Sequence, residues 1–329
     1  MAISKKFISV VIPVYNEEDA IPELLKRLFA VLNNLESNFD YEVIFINDGS
    51  YDSSLALLIQ ERKKNPEHIR IIDFNGNFGQ HMAIIAGFKE AKGDIVITMD
   101  ADMQNPPEEI PKIINEILKG HDVVGSIRQK RKDTFFRRTA SYLVNKITNK
   151  ITGLHLHDYG CMLRGYRKDI VEIINEASET TTFIPALAQK FAVNPVEIPV
   201  AHSERLKGSS KYNLFRLIRL NFDLMTGFSL VPLQAVTMMG IFISVVSFLF
   251  SCFLFIRRLI VGSEAEGVFT LLAINFLLMG ITIFCMGIVG EYIGRIYQEV
   301  RHRPRYVIRK IYDADNLKNF EKENNNLNE

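Results

Sequence analysis

Residues 94–102 read Asp94-Ile-Val-Ile-Thr-Met-Asp100-Ala-Asp102. A short, β-rich apolar run carries two acids to its C-terminal tip. In open α/β sheets, ligands bind outside the carboxyl ends of the strands. Two carboxylates one residue apart can both turn toward a hard cation, and Mg²⁺ in particular is held by one or two carboxylates plus substrate phosphates. The stretch therefore reads as a strand end where a metal meets a diphosphate. Taken alone, Asp-x-Asp is also an ordinary polar turn, and the rest of the chain has to decide.

On either side, strand candidates alternate with helical stretches. The strands are Ile8–Val14, Tyr41–Asn47, Ile69–Phe74, Ile95–Met99 and Val123–Val124. The helices are Ala20–Leu35, Ser53–Lys64, Gln80–Ala91 and Pro107–Leu118. This rhythm predicts a largely parallel sheet with crossover helices, an α/β domain from the N-terminus to about residue 205. Each strand ends in polar residues: Tyr15-Asn16-Glu17, then Asn47-Asp48-Gly49-Ser50, then Asn75-Gly76-Asn77, then Asp100-Ala101-Asp102. Any one of these is an unremarkable loop. Four at one edge of one sheet make a composite site. Neither GxGxxG nor GxxxxGK[ST] occurs, which disfavours a dinucleotide oxidoreductase or a P-loop ATPase.

The net charge of +1 over 329 residues hides local asymmetry. Residues 224–256 and 267–290 hold no charged side chain. A bilayer crossing needs about 20 mostly apolar helical residues, so both stretches qualify, with spans expected at about 232–256 and 267–290. Buried core helices are a poorer reading, because such helices rarely run that far without a polar face. The loop between them is short and charge-balanced. The outer flanks are basic: Lys207, Lys211, Arg216 and Arg219 before, Arg295, Arg301, Arg303, Arg305, Arg309 and Lys310 after. The positive-inside rule then puts both termini and the α/β domain in the cytoplasm. No secretory signal is expected, since the Phe7–Val14 run is short and holds Pro13. Cys161, Cys252 and Cys285 have no metal-binding or redox spacing and suit a reducing compartment.

Two basic amphipathic helices are expected at the membrane interface, one around 135–150 and one within 206–228. A nucleic-acid patch is the other reading of that charge. It loses because two spanning helices follow at once, so the nearest polyanion is a bilayer. Residues 291–329 are expected to form a cytoplasmic basic segment, with the last twenty residues disordered. Gly290 and Gly294 form a GxxxG pair suited to helix packing.

Two further constellations stand out. Asp158-Tyr-Gly-Cys-Met-Leu-Arg164 sets a carboxylate beside a glycine and then an arginine, which suits either a substrate-facing loop or a structural ion pair. Arg205-Leu-Lys-Gly-Ser-Ser-Lys211 suits diphosphate binding or a solvated linker. His155 and His157 lack partner ligands and read as loop residues.

Together, Val10-Val-Ile-Pro-Val-Tyr-Asn-Glu17, Asn47-Asp-Gly-Ser50, Asn77-Phe-Gly-Gln80, Asp100-Ala-Asp-Met-Gln-Asn-Pro-Pro107, Asp158–Arg164, Gly208-Ser-Ser-Lys211, Gly290–Tyr297 and Arg303-Pro-Arg-Tyr306 resemble the family 2, GT-A-fold glycosyltransferases of the polyprenyl-phosphate type. The resemblance runs from about residue 7 to 310. It implies a Rossmann-like GT-A domain, a UDP-sugar donor, undecaprenyl phosphate as acceptor, and inversion at the transferred sugar. The setting it implies is the bacterial inner membrane and the product a lipid-linked sugar for lipid A. It points to 4-deoxy-4-formamido-L-arabinose; glucose, N-acetylgalactosamine or mannose stay open.

It also implies residue roles. Pro13, Tyr15, Glu17 and Asp48 would hold uridine, with Asn77 and Gln80 beside the nucleotide sugar. Asp100 and Asp102 would carry the donor diphosphate through Mg²⁺ or Mn²⁺, with Asp102 the direct ligand. Asp158 would face the acceptor phosphate, and Arg164, Arg205 and Lys211 would surround the phosphates. A homotetramer is likewise implied. Relatives often carry Asp where this chain has Asn47. A processive polysaccharide synthase is excluded by its Gln-x-x-Arg-Trp motif, because this chain has no tryptophan. A transporter is disfavoured by two spans without an interior ionisable residue. A catalytically inactive scaffold is disfavoured by the three intact acids.

Overall fold

The computed structural model describes residues 5–128, 161–177, 183–201, 231–261, 268–301 and 304–313. The chain divides into two units, one built on a sheet and one on two long helices.

The sheet has eight strands in the order β7-β5-β6-β4-β1-β2-β3-β8. In chain order they are β1 (Lys6–Val14), β2 (Phe39–Asn47), β3 (Ile69–Phe74), β4 (Ile95–Thr98), β5 (Val123–Arg128), β6 (Arg164–Arg167), β7 (Pro195–Val200) and β8 (Ile308–Tyr312). The first four run parallel, as do β5 and β7, while β6 and β8 are antiparallel to their neighbours. Strands covered on both faces need side chains that tolerate burial on both, and β1, β2 and β4 are accordingly near-continuous Val, Ile and Phe.

Helices cover the two faces. On one, α1 (Ile21–Leu35) buries Ile21, Leu24, Leu25, Leu28 and Leu32, and α4 (Ile110–Leu118) buries Ile110, Ile113, Ile114 and Ile117. Both stripes follow helical spacing and join Val10 and Ile12 in one core. α2 (Ser54–Lys64) adds Leu58. On the other face, α3 (Gln80–Glu90) packs so closely that a Cβ on Gly87 would lie 2.3 Å from Val11 Cγ1. α5 (Lys168–Glu176) and α6 (Ile184–Phe191) complete this layer.

β1 is the point where the strand order reverses, with β2 and β3 leading one way and β4 the other. The β1–β4 ladder ends at Val11–Thr98, two residues before Pro13. Pro13 lacks an N–H, which suits a position past the end of that ladder. The sheet opens at this point, and a crevice at a reversal is where doubly wound sheets bind ligands.

The expected strands and helices up to residue 118 appear almost as read. The sequence reading missed β6, β7, α5 and α6, because short amphipathic elements give little periodicity. It also missed β8. Lys310–Asp313, expected within a disordered tail, are strand and strand end: alternating Ile308, Lys310 and Tyr312 pair with β3. Composition alone cannot see a strand whose partner lies more than 200 residues away. The expected interfacial helices at 135–150 and 206–228 fall outside the described residues.

In the second unit, α7 (Val231–Val261) and α8 (Val268–Val300) are each long and apolar enough to cross a membrane. They exceed the expected spans because their amphipathic ends continue the helix. Their large side chains, among them Phe242, Phe248, Phe276 and Phe284, face outward rather than into a core. A Cβ on Gly290 or Gly294 would meet nothing within 4 Å, so neither glycine seats another helix among the described residues.

Candidate active site

The loops at the carboxyl edge are stitched to one another. After β1, Asn16 adopts a positive φ of 55°. Its N–H donates to Ser50 Oγ (3.1 Å), and its Oδ1 accepts from Tyr51 N–H (3.0 Å). Glu17 N–H donates to Ser54 Oγ (2.9 Å). Tyr15 and Tyr51, both exposed, meet edge to face at 6.3 Å. Gly49 has φ +69°, and a Cβ there would lie 2.5 Å from the Gly76 carbonyl carbon, so only glycine lets the loops after β2 and β3 touch.

Asp48 was expected at uridine. It is buried, and its carboxylate accepts the N–H groups of Phe78 (2.7 Å) and Gly79 (2.9 Å). Burial pushes its pKa up and the two backbone bonds draw it back down. Both oxygens thus shape the loop after β3, a role the sequence reading did not include. Asn77 joins the arrangement, its Nδ2 donating to the Asp48 carbonyl (3.3 Å).

Asn47 is also explained. It is buried, and its Nδ2 donates to Asp73 Oδ1 at 2.7 Å while Arg309 lies 3.6 Å from Asp73 Oδ2. An aspartate at 47 would set carboxylate against carboxylate. Asn47→Asp is expected to lower stability by about 1–3 kcal/mol at pH 8, the usual cost of a broken buried hydrogen bond. The loss should shrink toward pH 5, because a crowded carboxyl pair has a raised pKa and is destabilising only once its proton leaves. Denaturant unfolding at both values tests this; equal losses would dismiss the pairing argument.

At the end of β4, Asp100 is half-buried and hydrogen-bonded by Gln80 Nε2 (2.5 Å), from the first residue of α3. Burial first, then the charge of Asp102, push the Asp100 carboxyl up to about 7. Gln80 and Arg128 pull it down, and Glu17 pushes it up. Asp102 Oδ1 accepts Gln104 N–H (3.1 Å), and Met103 follows with a positive φ of 63°, a conformation uncommon for a long side chain. Asn105 is buried and accepts from Cys161 Sγ (3.5 Å), tying the acidic loop to the segment that enters β6. Arg27 braces the same loop from α1 through a paired contact with Glu108 (2.8 and 2.7 Å).

Pro13, Tyr15, Glu17, Asp48, Asn77, Gln80, Asp100 and Asp102 are therefore gathered at one edge. Asp158, Arg205 and Lys211 lie outside the described residues. Arg164 is corrected: it is wholly buried on β6, its Nε donates to Cys161 C=O (2.9 Å), and it abuts Gly125. A guanidinium sealed from solvent braces strands rather than receiving a phosphate. Sequence reasoning missed Arg128 and Tyr51. Arg128 ends β5 at the same edge, and the signal was there in a strand that continues past Gly125-Ser126 to a cation. Among the described residues, no three His, Cys, Asp or Glu side chains form a ready cage for a metal. A pair of acids that needs further ligands from a substrate is a different arrangement.

Residues 9–174 match the model of glycosyl transferase family 2. The chain belongs to that family. This family 2 glycosyltransferase is 49% identical over 308 residues to the undecaprenyl-phosphate 4-deoxy-4-formamido-L-arabinose transferase of Aeromonas hydrophila, covering 93% of this chain and 94% of that one. It is 48% identical over 320 residues to the protein of the same name from Photorhabdus laumondii, covering 97% and 98%. Among solved structures, it is similar to glucosyl-3-phosphoglycerate synthase from Mycobacterium tuberculosis in complex with Mn²⁺, uridine-diphosphate and phosphoglyceric acid. That likeness has a TM-score of 0.49 at 15% identity, covering 68% of this chain and 77% of that one. The α/β sheet is the family's GT-A fold, and the chain is a glycosyltransferase.

Proposed function

We propose that this glycosyltransferase moves 4-deoxy-4-formamido-L-arabinose from a UDP carrier to undecaprenyl phosphate, with inversion, at the cytoplasmic face of the bacterial inner membrane, for lipid A modification. The observation that carries the reading is near-half identity over almost the full length of relatives bearing that name. Two apolar helices support the membrane setting. Strands from before and after those helices share one sheet, which fits an even number of crossings and both flanks on one side.

The acidic pair fits a divalent cation, Mg²⁺ or Mn²⁺. Burial and mutual repulsion raise the Asp100 carboxyl to about 7, and a cation between Asp100 and Asp102 would relieve that repulsion. When bound, it would offset charge on the donor diphosphate. Around it, Pro13, Tyr15 and Glu17 would face the uridine, with Tyr51 extending the aromatic rim. Gln80 would hold the orientation of Asp100, and Asn77 the loop beside the sugar. Asp158 would orient the acceptor phosphate toward the anomeric carbon. Arg205, Lys211 and Arg128 would stabilise charge as UDP departs.

A metal must displace the proton from Asp100. Since that carboxyl is raised to about 7, Mn²⁺ affinity should be about 10-fold weaker at pH 6 than at pH 8. Titration of the donor-free protein by calorimetry measures it, and a flat profile would dismiss Asp100 as a ligand. The function itself is tested with purified protein, undecaprenyl phosphate and a panel of UDP-sugars. Formation of the formamido-arabinosyl lipid in preference to others supports the proposal; preference for UDP-glucose or UDP-N-acetylgalactosamine overturns it.

A further inference from the structure

We propose that Tyr306, on the segment that follows α8 back to the sheet, is a positioning residue for the donor-binding loop at residues 75–80. The inference rests on the donor reading above. Tyr306 lies face to face on Phe74, with ring centres 5.0 Å apart and planes at 14°. Phe74 in turn meets Phe78 edge to face at 5.7 Å. Lys89 of α3 sits 5.6 Å from the centre of the Tyr306 ring, so the ring is placed between the last residue of β3 and the helix that begins at Gln80.

The backbone repeats the connection. Asn75 N–H donates to Val307 C=O (3.0 Å), and Arg309 reaches both the Asn75 carbonyl (3.4 Å) and the Asp73 carboxylate (3.6 Å). The entry to the loop is therefore fixed by residues 306–309. Its exit is fixed by Asp48, which takes the Phe78 and Gly79 N–H groups, and by Gln80 on Asp100. Phe78 belongs to both sets of contacts. With the Tyr306 ring gone, one end of the loop loses its aromatic seat while Asp48 still holds the other. The loop then samples geometries in which Asn77 and Gln80 are misplaced for the donor, although the sheet remains paired.

The test compares Tyr306→Ala, Tyr306→Leu and Tyr306→Phe in the full-length protein, in detergent with undecaprenyl phosphate and the preferred UDP-sugar. An aromatic pair is worth about 3- to 10-fold in an equilibrium. Tyr306→Leu, which keeps apolar bulk and folding, should raise the donor KM by about that factor. The acceptor KM should stay unchanged, and Tyr306→Phe should restore the wild-type value. Phe78→Leu should raise the donor KM similarly, and the double variant should be less than additive. A purely architectural role predicts a lower thermal midpoint and a smaller active fraction with an unchanged donor KM, and that result overturns the proposal. So does an additive double variant. Wild-type protein that transfers no sugar to the lipid would overturn the functional reading instead, a distinct outcome visible before any variant is made.

Discussion

Asp102→Ala is expected to lower sugar transfer by at least about 10³-fold, or roughly 4 kcal/mol of transition-state stabilisation. The reason lies in the tip of β4. Asp100 is restrained by Gln80 and carries a carboxyl raised to about 7. Burial is the first cause of that raising and the charge of Asp102 the second, and Asp102 sits where the strand has ended and the crevice beside β1 opens. Without Asp102, a cation keeps only one acid of the pair, the Asp100 carboxyl that Gln80 already engages. Circular dichroism and the thermal midpoint should stay near wild type, because the strand and helix on either side of the loop are set by Ile97, Ile110 and Ile113 in the core. The Asp100 carboxyl should titrate lower in Asp102→Asn, since a repelling charge is gone. Unimpaired turnover in Asp102→Ala would sink the metal–diphosphate assignment.

The fold was legible where the sequence repeats one local rule. The runs Ile8–Val14, Tyr41–Asn47 and Ile95–Thr98 are apolar on both faces, and only a doubly covered parallel sheet accepts them. The helical stripes of α1 and α4 are equally direct. What was not legible depends on distant partners. β8 is a short alternating segment whose identity comes from β3. Arg164 looked like a phosphate ligand because it follows Asp158-Tyr-Gly, yet strand pairing with Thr98 turns it inward. The loop-shaping part of Asp48 was equally hidden, since only the path of the loop after β3 brings the Phe78 and Gly79 N–H groups to its carboxylate. The acidic tip itself was read correctly in position, since the polarity of strand ends in an α/β sheet is a local signal with a global meaning.

Asp158→Asn separates two roles for the remaining acid. The proposed nucleophile is a phosphate oxygen of the lipid, and a phosphate monoester loses its second proton near pH 6. At neutral pH it is already ionised, so a general base has little to remove. In the proposed role, Asp158 would instead hold the acceptor in line with the sugar carbon. The variant should cut kcat by about 10²- to 10³-fold, within the range that one positioned group contributes, while donor affinity changes by no more than about 3-fold, because the residues proposed for uridine and diphosphate belong to other stretches of the sequence. The pH profile decides between orientation and proton removal. An orienting carboxylate leaves the variant with the wild-type profile, scaled down, and a plateau above pH 7 set by the phosphate. A true base leaves a variant whose rate keeps climbing with pH as solvent hydroxide takes over. Wild-type rates in Asp158→Asn would remove this residue from the site and leave Arg205 and Lys211 as the groups that must align the acceptor.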